Sequence, residues 1–311
     1  MKITHVIGDH VVNRFDNSIS VTLRFSERCN YTCEYCHYHD NSIPFYDHQH
    51  HIQLIDNLFT ILKNKSKIFV YLHGGEPTII PHFEKLIDHI LSYDNVHEII
   101  IQTNCSKNID WFKQFIGYEK ITFAISYQHH MNRSKPFQHF KEKALFLFEN
   151  NLLYQINFSL ENMFVDEIIS IIKNLNEFDG YLIYNYINTN PELYKEVHDI
   201  IEKTHFEDKE YAVKLTFDNN EVITYDNYNN IRVDGHDKFK NYTCTAGNKN
   251  LVIQPNGDVY YCLSHEHAGN PICNMIDDPE TLNVVVNRNI ILCNFNKCVC
   301  ELWLEKKKLG Y

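Results

Sequence analysis

The chain has 311 residues, 44% of them hydrophobic, and a formal net charge of -11. It is long enough for one large domain plus a smaller one, with apolar content enough to fill a core. No apolar run approaches the ~20 residues of a membrane-spanning helix, and Met1 to His10 lacks the basic and apolar regions of a signal peptide, so a cytoplasmic globular protein with no membrane partner is expected. The acidic balance also argues against a non-specific grip on nucleic-acid phosphates.

Residues 1–17 read as an N-terminal extension. Strand-like and helix-like segments then alternate. Short apolar or β-branched runs predict strands at Ser18 to Phe25, Ile68 to His73, His97 to Gln102, Lys120 to Ser126, Gln155 to Leu160 and Tyr181 to Tyr186. Helical spacing predicts helices at His51 to Leu62, Phe83 to Leu91, Lys141 to Phe148 and Val165 to Leu175, with Pro81 suited to a first helical turn. Six βα units of ~30 residues imply a parallel sheet that right-handed crossovers curl toward a partial (β/α)6 barrel. Reactive groups in such a fold sit past the carboxyl ends of the strands. The core is expected over residues 18–204, a polar connector with a strand near Tyr211 to Phe217 over 205–240, and a separate cysteine-rich α+β unit over 241–311. The 20 Tyr and 20 Phe read as core and half-buried filling.

Ten cysteines in a reduced compartment are metal ligands or reactive groups rather than a disulfide frame. Cys29, Cys33 and Cys36 stand in a C-x3-C-x2-C run just after the first strand of the core. A 4Fe-4S cluster held by three thiolates keeps one iron open for a non-protein ligand. A structural zinc site would need a fourth donor, for which His37 and His39 are candidates. After the next strand, His73-Gly74-Gly75-Glu76-Pro77 lets the backbone come close to a ligand and offers a carboxylate and a carbonyl to an α-ammonium. Gln102-Thr103-Asn104-Cys105 and Ser126-Tyr127-Gln128 end the following strands with hydroxyl and amide groups. Singly each reads as an ordinary turn or cap; together they converge on one barrel mouth.

Farther on, Cys244-Thr-Ala-Gly247 leads to a strand at Asn250 to Gln254, a Pro255-Asn-Gly-Asp258 turn and Val259 to Cys262. That turn signals a hairpin bringing Cys244 and Cys262 together. Cys293, Cys298 and Cys300 close the chain, and Cys273 reads as a buried thiol. By chemistry alone, zinc and an iron-sulfur cluster are equal candidates for this unit. His48, His50 and His51 read as exposed or capping; His129 and His130 stand near the mouth, one of them a candidate to touch substrate. His265 and His267 are minor candidates for a metal.

Over residues 18–204 the cysteine run, with Tyr35 before its last Cys, and the Gly74-Gly75-Glu76 turn resemble the radical S-adenosylmethionine (SAM) superfamily. The resemblance implies that Cys29, Cys33 and Cys36 bind a 4Fe-4S cluster whose open iron is chelated by SAM, that Gly74, Gly75 and Glu76 meet the methionine ammonium, that Tyr35 lies near the adenine, and that Thr103, Asn104 and Ser126 lie along the methionine and ribose. It implies reductive cleavage of SAM, with the 5'-deoxyadenosyl radical abstracting hydrogen from a peptide or protein side chain or a small alcohol or sugar, and an electron donor such as flavodoxin or ferredoxin. The tail resembles the SPASM or shortened Twitch extension, implying one auxiliary 4Fe-4S cluster on Cys244, Cys262, Cys298 and Cys300, with Cys293 as alternate; the full SPASM cysteine string is absent. Cys105 falls where the family commonly has Gly, which offers it as a hydrogen-atom donor, against the preferred reading of a small gap-filling residue. The reading from another class is a zinc-stapled, non-catalytic binding module on a βα scaffold.

Overall fold

The computed structural model describes residues 1–36, 40–132, 137–160, 165–175, 178, 182–186, 213–225, 231–232, 234–287, 290–298 and 304–310. In chain order it contains β1 Ile3–Gly8, β2 Ser18–Arg24, α1 His48–Ile61, β3 Lys67–His73, α2 Phe83–Leu91, β4 Val96–Thr103, α3 Ile109–Lys113, β5 Ile121–Tyr127, α4 His129–Asn132, α5 Phe137–Glu149, β6 Leu153–Leu160, α6 Val165–Lys173 and β7 Leu182–Tyr186. Next come β8 Val213–Phe217, β9 Val222–Tyr225, β10 Tyr242–Cys244, β11 Asn250–Ile253, β12 Asp258–Tyr260, α7 Leu263–His267, β13 Cys273–Asn274, α8 Glu280–Val286, β14 Ile291–Leu292 and β15 Lys306–Lys308.

The strands β2 to β7 pair in parallel and in sequence order, as βα repetition requires. In β2, Ile19, Val21 and Leu23 point to one face, where they share a core with Leu54, Ile55, Leu58 and Phe59 of α1. Ser18, Ser20, Thr22 and Arg24 alternate with them on the opposite face, and they too are buried. The strand is therefore covered on both sides, as parallel strands are. The helix α1 starts where the Asp47 carboxylate accepts from the His50 amide at 2.7 Å. The helix α2 buries Phe83, Leu86, Ile87 and Ile90, an i, i+3, i+4, i+7 stripe. Its first turn follows His82, in left-handed backbone, rather than Pro81; Pro77 instead opens a 3-10 turn at Pro77–Ile79. Each fully buried Leu, Ile or Phe in this layer contributes about 1.5–3 kcal/mol.

Three segments differ from the sequence reading. The hairpin β11–β12 is not part of a separate unit, since β11 pairs in parallel with β2, Asn250 opposite Ser20 through Ile253 opposite Leu23. The result is a nine-stranded sheet in the order β13-β12-β11-β2-β3-β4-β5-β6-β7, and among the described residues it does not close on itself. Residues 1–17 are not a mere extension, nor 205–240 only a connector. β1 pairs with β8 and β15, and the second sheet runs β14-β10-β15-β1-β8-β9. Tyr181, Tyr211 and residues 187–210 lie outside the described residues. No described helix is long and apolar enough to cross a membrane.

Candidate active site at the carboxyl end of the sheet

The chain leaves β2 at Arg24 and runs through Ser26 and Arg28 into the cysteine loop. The Cys29 amide donates to Asn41 Oδ1 at 3.1 Å, the Tyr31 amide to Cys29 Sγ at 3.4 Å, and the Cys36 amide closes a turn on the Cys33 carbonyl at 3.0 Å. Cys33 is buried, while Cys29 and Cys36 are partly exposed. Burial pushes the Cys29 thiol up, and the nearby Glu76 and Cys36 push the same way, against the hydrogen bonds from the Tyr31 amide and Asn104.

The exit of β3 is pressed against that loop. The Gly75 amide donates to the Ser26 carbonyl at 3.0 Å and the Glu76 amide to the Arg28 carbonyl at 2.8 Å. A Cβ on Gly75 would fall 2.0 Å from the Arg28 carbonyl oxygen, and one on Gly74, at φ +127°, 2.5 Å from that of Ser26. Both glycines are therefore fixed by close backbone approach.

Glu76 is buried, and its carboxylate is taken up by the protein. Oε1 accepts from the Thr78 amide at 3.2 Å, Thr78 Oγ1 at 2.6 Å and Thr103 Oγ1 at 2.7 Å; Oε2 accepts from the Asn104 amide at 2.7 Å. Burial raises its pKa despite these bonds, which act to lower it. The carboxylate thus ties the exits of β3 and β4 together, and the backbone of the turn is what remains for an ammonium. Asn104 reaches from β4 to the cysteine loop, its amide nitrogen 2.8 Å from Asn30 Oδ1 and 3.8 Å from Cys29 Sγ. Tyr35 donates its hydroxyl to Gln128 just beyond β5. Ser126 is buried, opposite Asn157 of β6.

Cys105 follows Asn104 in left-handed backbone, φ 57°, and is 3% exposed. Its amide bonds to Thr103 Oγ1 at 3.2 Å, and its carbonyl accepts from Lys143 Nζ at 2.7 Å. Burial pushes its thiol up to about 12. The side chain belongs to the buried hydrophobic core.

Residues that sequence reasoning passed over also meet here. Arg24 pairs with Glu266 of α7, which also accepts from Gln254 just beyond β11. His73, beside Arg24 in the sheet, is driven down to about 3 by burial and by that guanidinium. The second carboxylate oxygen of Glu266 and the amide nitrogen of Asn157 are buried without a hydrogen-bond partner among the described residues, as polar atoms facing a ligand would be. Alternation of polar residues along β2 signalled this face; nothing local signalled that a helix from the C-terminal region would reach it. A cavity of about 190 Å³ opens nearby, between Ser26, Glu27, Ile43 and the hairpin residues Gln254, Asn256 and Asp258. It touches none of Gly74, Glu76, Thr103, Asn104 or Ser126 and so is a separate feature of the same end.

Among the histidines, His129 pairs with Glu167 at 2.6 Å, and His265 packs against Tyr260, Tyr261 and Phe295. His51 is buried against the Phe25 carbonyl rather than exposed. His37, His39 and the side chain of His130 lie outside the described residues.

Three of the remaining cysteines gather in the smaller core beside the second sheet. Cys244, Cys262 and Cys298 are buried in one cluster with Phe239 and Tyr242. Cys293 continues the β14 pairing, its amide 2.8 Å from the Tyr242 carbonyl and its carbonyl 2.7 Å from the Asn241 amide. The thiols of Cys244, Cys293 and Cys298 lie close enough to act on one another's ionisation. Cys273 is buried in the main core, and Cys300 lies outside the described residues. Among the described residues no three His, Cys, Asp or Glu side chains converge as a group able to hold a single metal ion. The donor sets suit iron-sulfur clusters: one is a group of soft thiols on a short loop and the other a group gathered around one small core, and a cluster binds each thiolate through a different iron.

Comparisons with known proteins bear on the fold. Residues 23–143 match the family model of the Radical SAM superfamily. Over these residues the chain is similar to that superfamily. Among solved structures, anSMEcpe with bound AdoMet has the same fold at a TM-score of 0.61 and 16% identity, over 88% of this chain and 81% of that one. The same enzyme with bound AdoMet and Kp18Cys peptide aligns at 0.60 and 16%, over 87% and 82%. Streptococcus suis SuiB bound to S-adenosylmethionine aligns at 0.61 and 14%, over 88% and 66%. No curated protein matches.

Proposed function

We propose that the chain is a radical SAM enzyme that holds a 4Fe-4S cluster on Cys29, Cys33 and Cys36 and binds SAM at the cluster's open iron. The observation that carries the reading is the stitching of three strand exits into one pocket wall. The β3 turn lies on the carbonyls of Ser26 and Arg28, Glu76 bridges β3 to Thr103 and Asn104, and Asn104 reaches back to Cys29. When bound, the cluster would supply the one electron needed for reductive cleavage of the S–C5' bond of SAM, with methionine as the leaving group. The protein fixes geometry and excludes water. In this reading the backbone of Gly74 to Glu76 receives the methionine ammonium, Tyr35 lies by the adenine, and Thr103, Asn104, Ser126 and Asn157 line the methionine and ribose. Cys105 stays a structural thiol.

The second cysteine group holds one auxiliary 4Fe-4S cluster in a Twitch-like unit, on Cys244, Cys262, Cys298 and Cys293. Cys293 takes the place expected for Cys300 because β14 lies beside β10, where Cys244 stands. The substrate is a peptide or protein side chain, the class supported by neighbours crystallised with peptides: anSMEcpe with Kp18Cys peptide and SuiB bound to precursor peptide SuiA. A flavodoxin or ferredoxin supplies the electron. The test is anaerobic reconstitution followed by iron analysis and dithionite reduction with SAM. Brown protein with about eight irons per chain and release of 5'-deoxyadenosine is expected. A colourless protein with stoichiometric zinc would establish the zinc-stapled binding module instead.

A further inference from the structure

Lys306 is a lysine where a lysine is costly. It is 1% exposed and stands on β15 between Val6 of β1 and Cys244 of β10, directly opposite both. Residues opposite one another in an antiparallel pair project to the same face with their Cβ atoms about 5 Å apart. Tyr242 is two residues from Cys244 and Cys293 is paired with Tyr242, so Cys293 joins the same face. The ammonium donates to the Leu304 carbonyl at 2.9 Å and lies 5.4 Å from the centre of the Phe239 ring. The lysine therefore stands on the sheet face that carries Cys244 and Cys293. Beside the other cysteine loop the buried group is a carboxyl: Glu76 accepts from the Asn104 amide, and the Asn104 side chain reaches Cys29 Sγ.

We infer that Lys306 is a positioning residue for charge, which raises the reduction potential of the auxiliary cluster and makes it the electron-accepting end of the molecule; the inference rests on the auxiliary cluster proposed above. A 4Fe-4S core on four thiolates carries a net charge of about -2 when oxidised and one more negative charge when reduced. Reduction adds one electron and no proton, so a buried ammonium beside the thiolates stabilises the reduced form more than the oxidised one. The same anion offsets the desolvation of the lysine. Glu76 works in the opposite direction at the first cluster: a carboxylate there disfavours the reduced form and so makes that form the stronger electron donor. The fold thereby places a carboxylate at one cysteine site and an ammonium at the other.

The test uses the full chain carrying Cys29→Ala, Cys33→Ala and Cys36→Ala, so that only the auxiliary cluster remains. After anaerobic reconstitution, iron is counted and the cluster is titrated with dithionite under electron paramagnetic resonance, with Lys306, Lys306→Arg and Lys306→Met compared. The Met variant should be at least tenfold harder to reduce, a midpoint about 59 mV lower, and the Arg variant should stay near the parent. Iron uptake by the Arg variant but not the Met variant would also support a charge role. Equal midpoints for Met and parent, or failure of both variants to take up iron, would overturn it, the latter by assigning Lys306 to packing. If the parent itself binds no iron, the auxiliary cluster is absent and the inference falls with it, an outcome distinct from the others.

Discussion

Gly75→Ala isolates the contact that joins the Gly74-Gly75-Glu76 turn to the cysteine loop. Gly75 is not among the glycines at positive φ, so alanine meets no backbone strain of its own there. All the cost comes from the new methyl, which would lie 2.0 Å from the Arg28 oxygen, 2.4 Å from its carbonyl carbon and 2.6 Å from the Glu27 oxygen. Return to an ordinary contact of 3.4 Å needs a shift of about 1.4 Å, and the atoms in the way are backbone, which cannot swing aside. The shift breaks the bonds from the Gly75 and Glu76 amides, each worth about 1 kcal/mol net and up to ~3 when a buried group is left unpaired. We expect a loss of about 2–5 kcal/mol, read as a urea midpoint lower by about 1–2 M. A displacement near 1 Å at the cluster loop should slow 5'-deoxyadenosine release by about 100-fold even where iron is retained. Gly117→Ala is the control: at φ +90° with nothing within 4 Å, it carries only backbone strain of about 1–2 kcal/mol. If Gly75→Ala keeps the wild-type midpoint, iron content and SAM cleavage, the close approach does not build the site.

Glu76→Gln replaces two acceptor oxygens by one and turns an amide toward groups that donate; SAM binding measured by calorimetry on reconstituted protein should weaken at least tenfold, with a stability loss of about 2–3 kcal/mol. His51 is held neutral in the core, its pKa driven down to about 4 by burial. The unfolded chain takes up that proton near pH 6.5 while the native protein does not. The contribution is therefore intact above pH 6.5 and lost as the pH falls through 4, up to about 3 kcal/mol in all. His51→Gln should make the urea midpoint less pH-dependent across this window, and an unchanged slope would refute the assignment. Cys105, buried and with its thiol near 12, should resist iodoacetamide at pH 8 in the folded protein, while Cys105→Ala should leave 5'-deoxyadenosine release intact. Cys293→Ser should halve the iron content, from about eight to about four per chain, whereas Cys300→Ser should not.

The parallel core was legible because each strand pairs with a neighbour one helix away, so the local alternation of apolar runs carries the topology. Ser18 to Phe25 and Phe83 to Leu91 were readable almost to the residue. The second sheet was not. Ile3–Gly8 is a short strand whose partners, Val213–Phe217 and Lys306–Lys308, lie more than two hundred residues away, and no periodicity records such a pairing. The hairpin turn at Pro255 to Asp258 was plain from its residues. That β11 would lie beside β2 was not, although Asn250–Ile253 is buried throughout, the mark of a strand covered on two faces. In the site, residue types located the motifs but not their division of labour. The carboxylate of Glu76 was expected to face an ammonium; its four protein donors come from Thr78, Thr103 and Asn104, and only the fold brings the last two to it. Arg24 and Glu266 escaped notice for the same reason, being partners 242 positions apart.

The pairing of β11 with β2 also changes what it means to shorten this chain. A C-terminal unit joined by a tether could be cut away to leave the core whole. Here deletion after residue 240 would strip the strand beside β2 and open a row of unpaired amides and carbonyls on an apolar, formerly interior strand. The expected product is an aggregating fragment rather than a minimal enzyme.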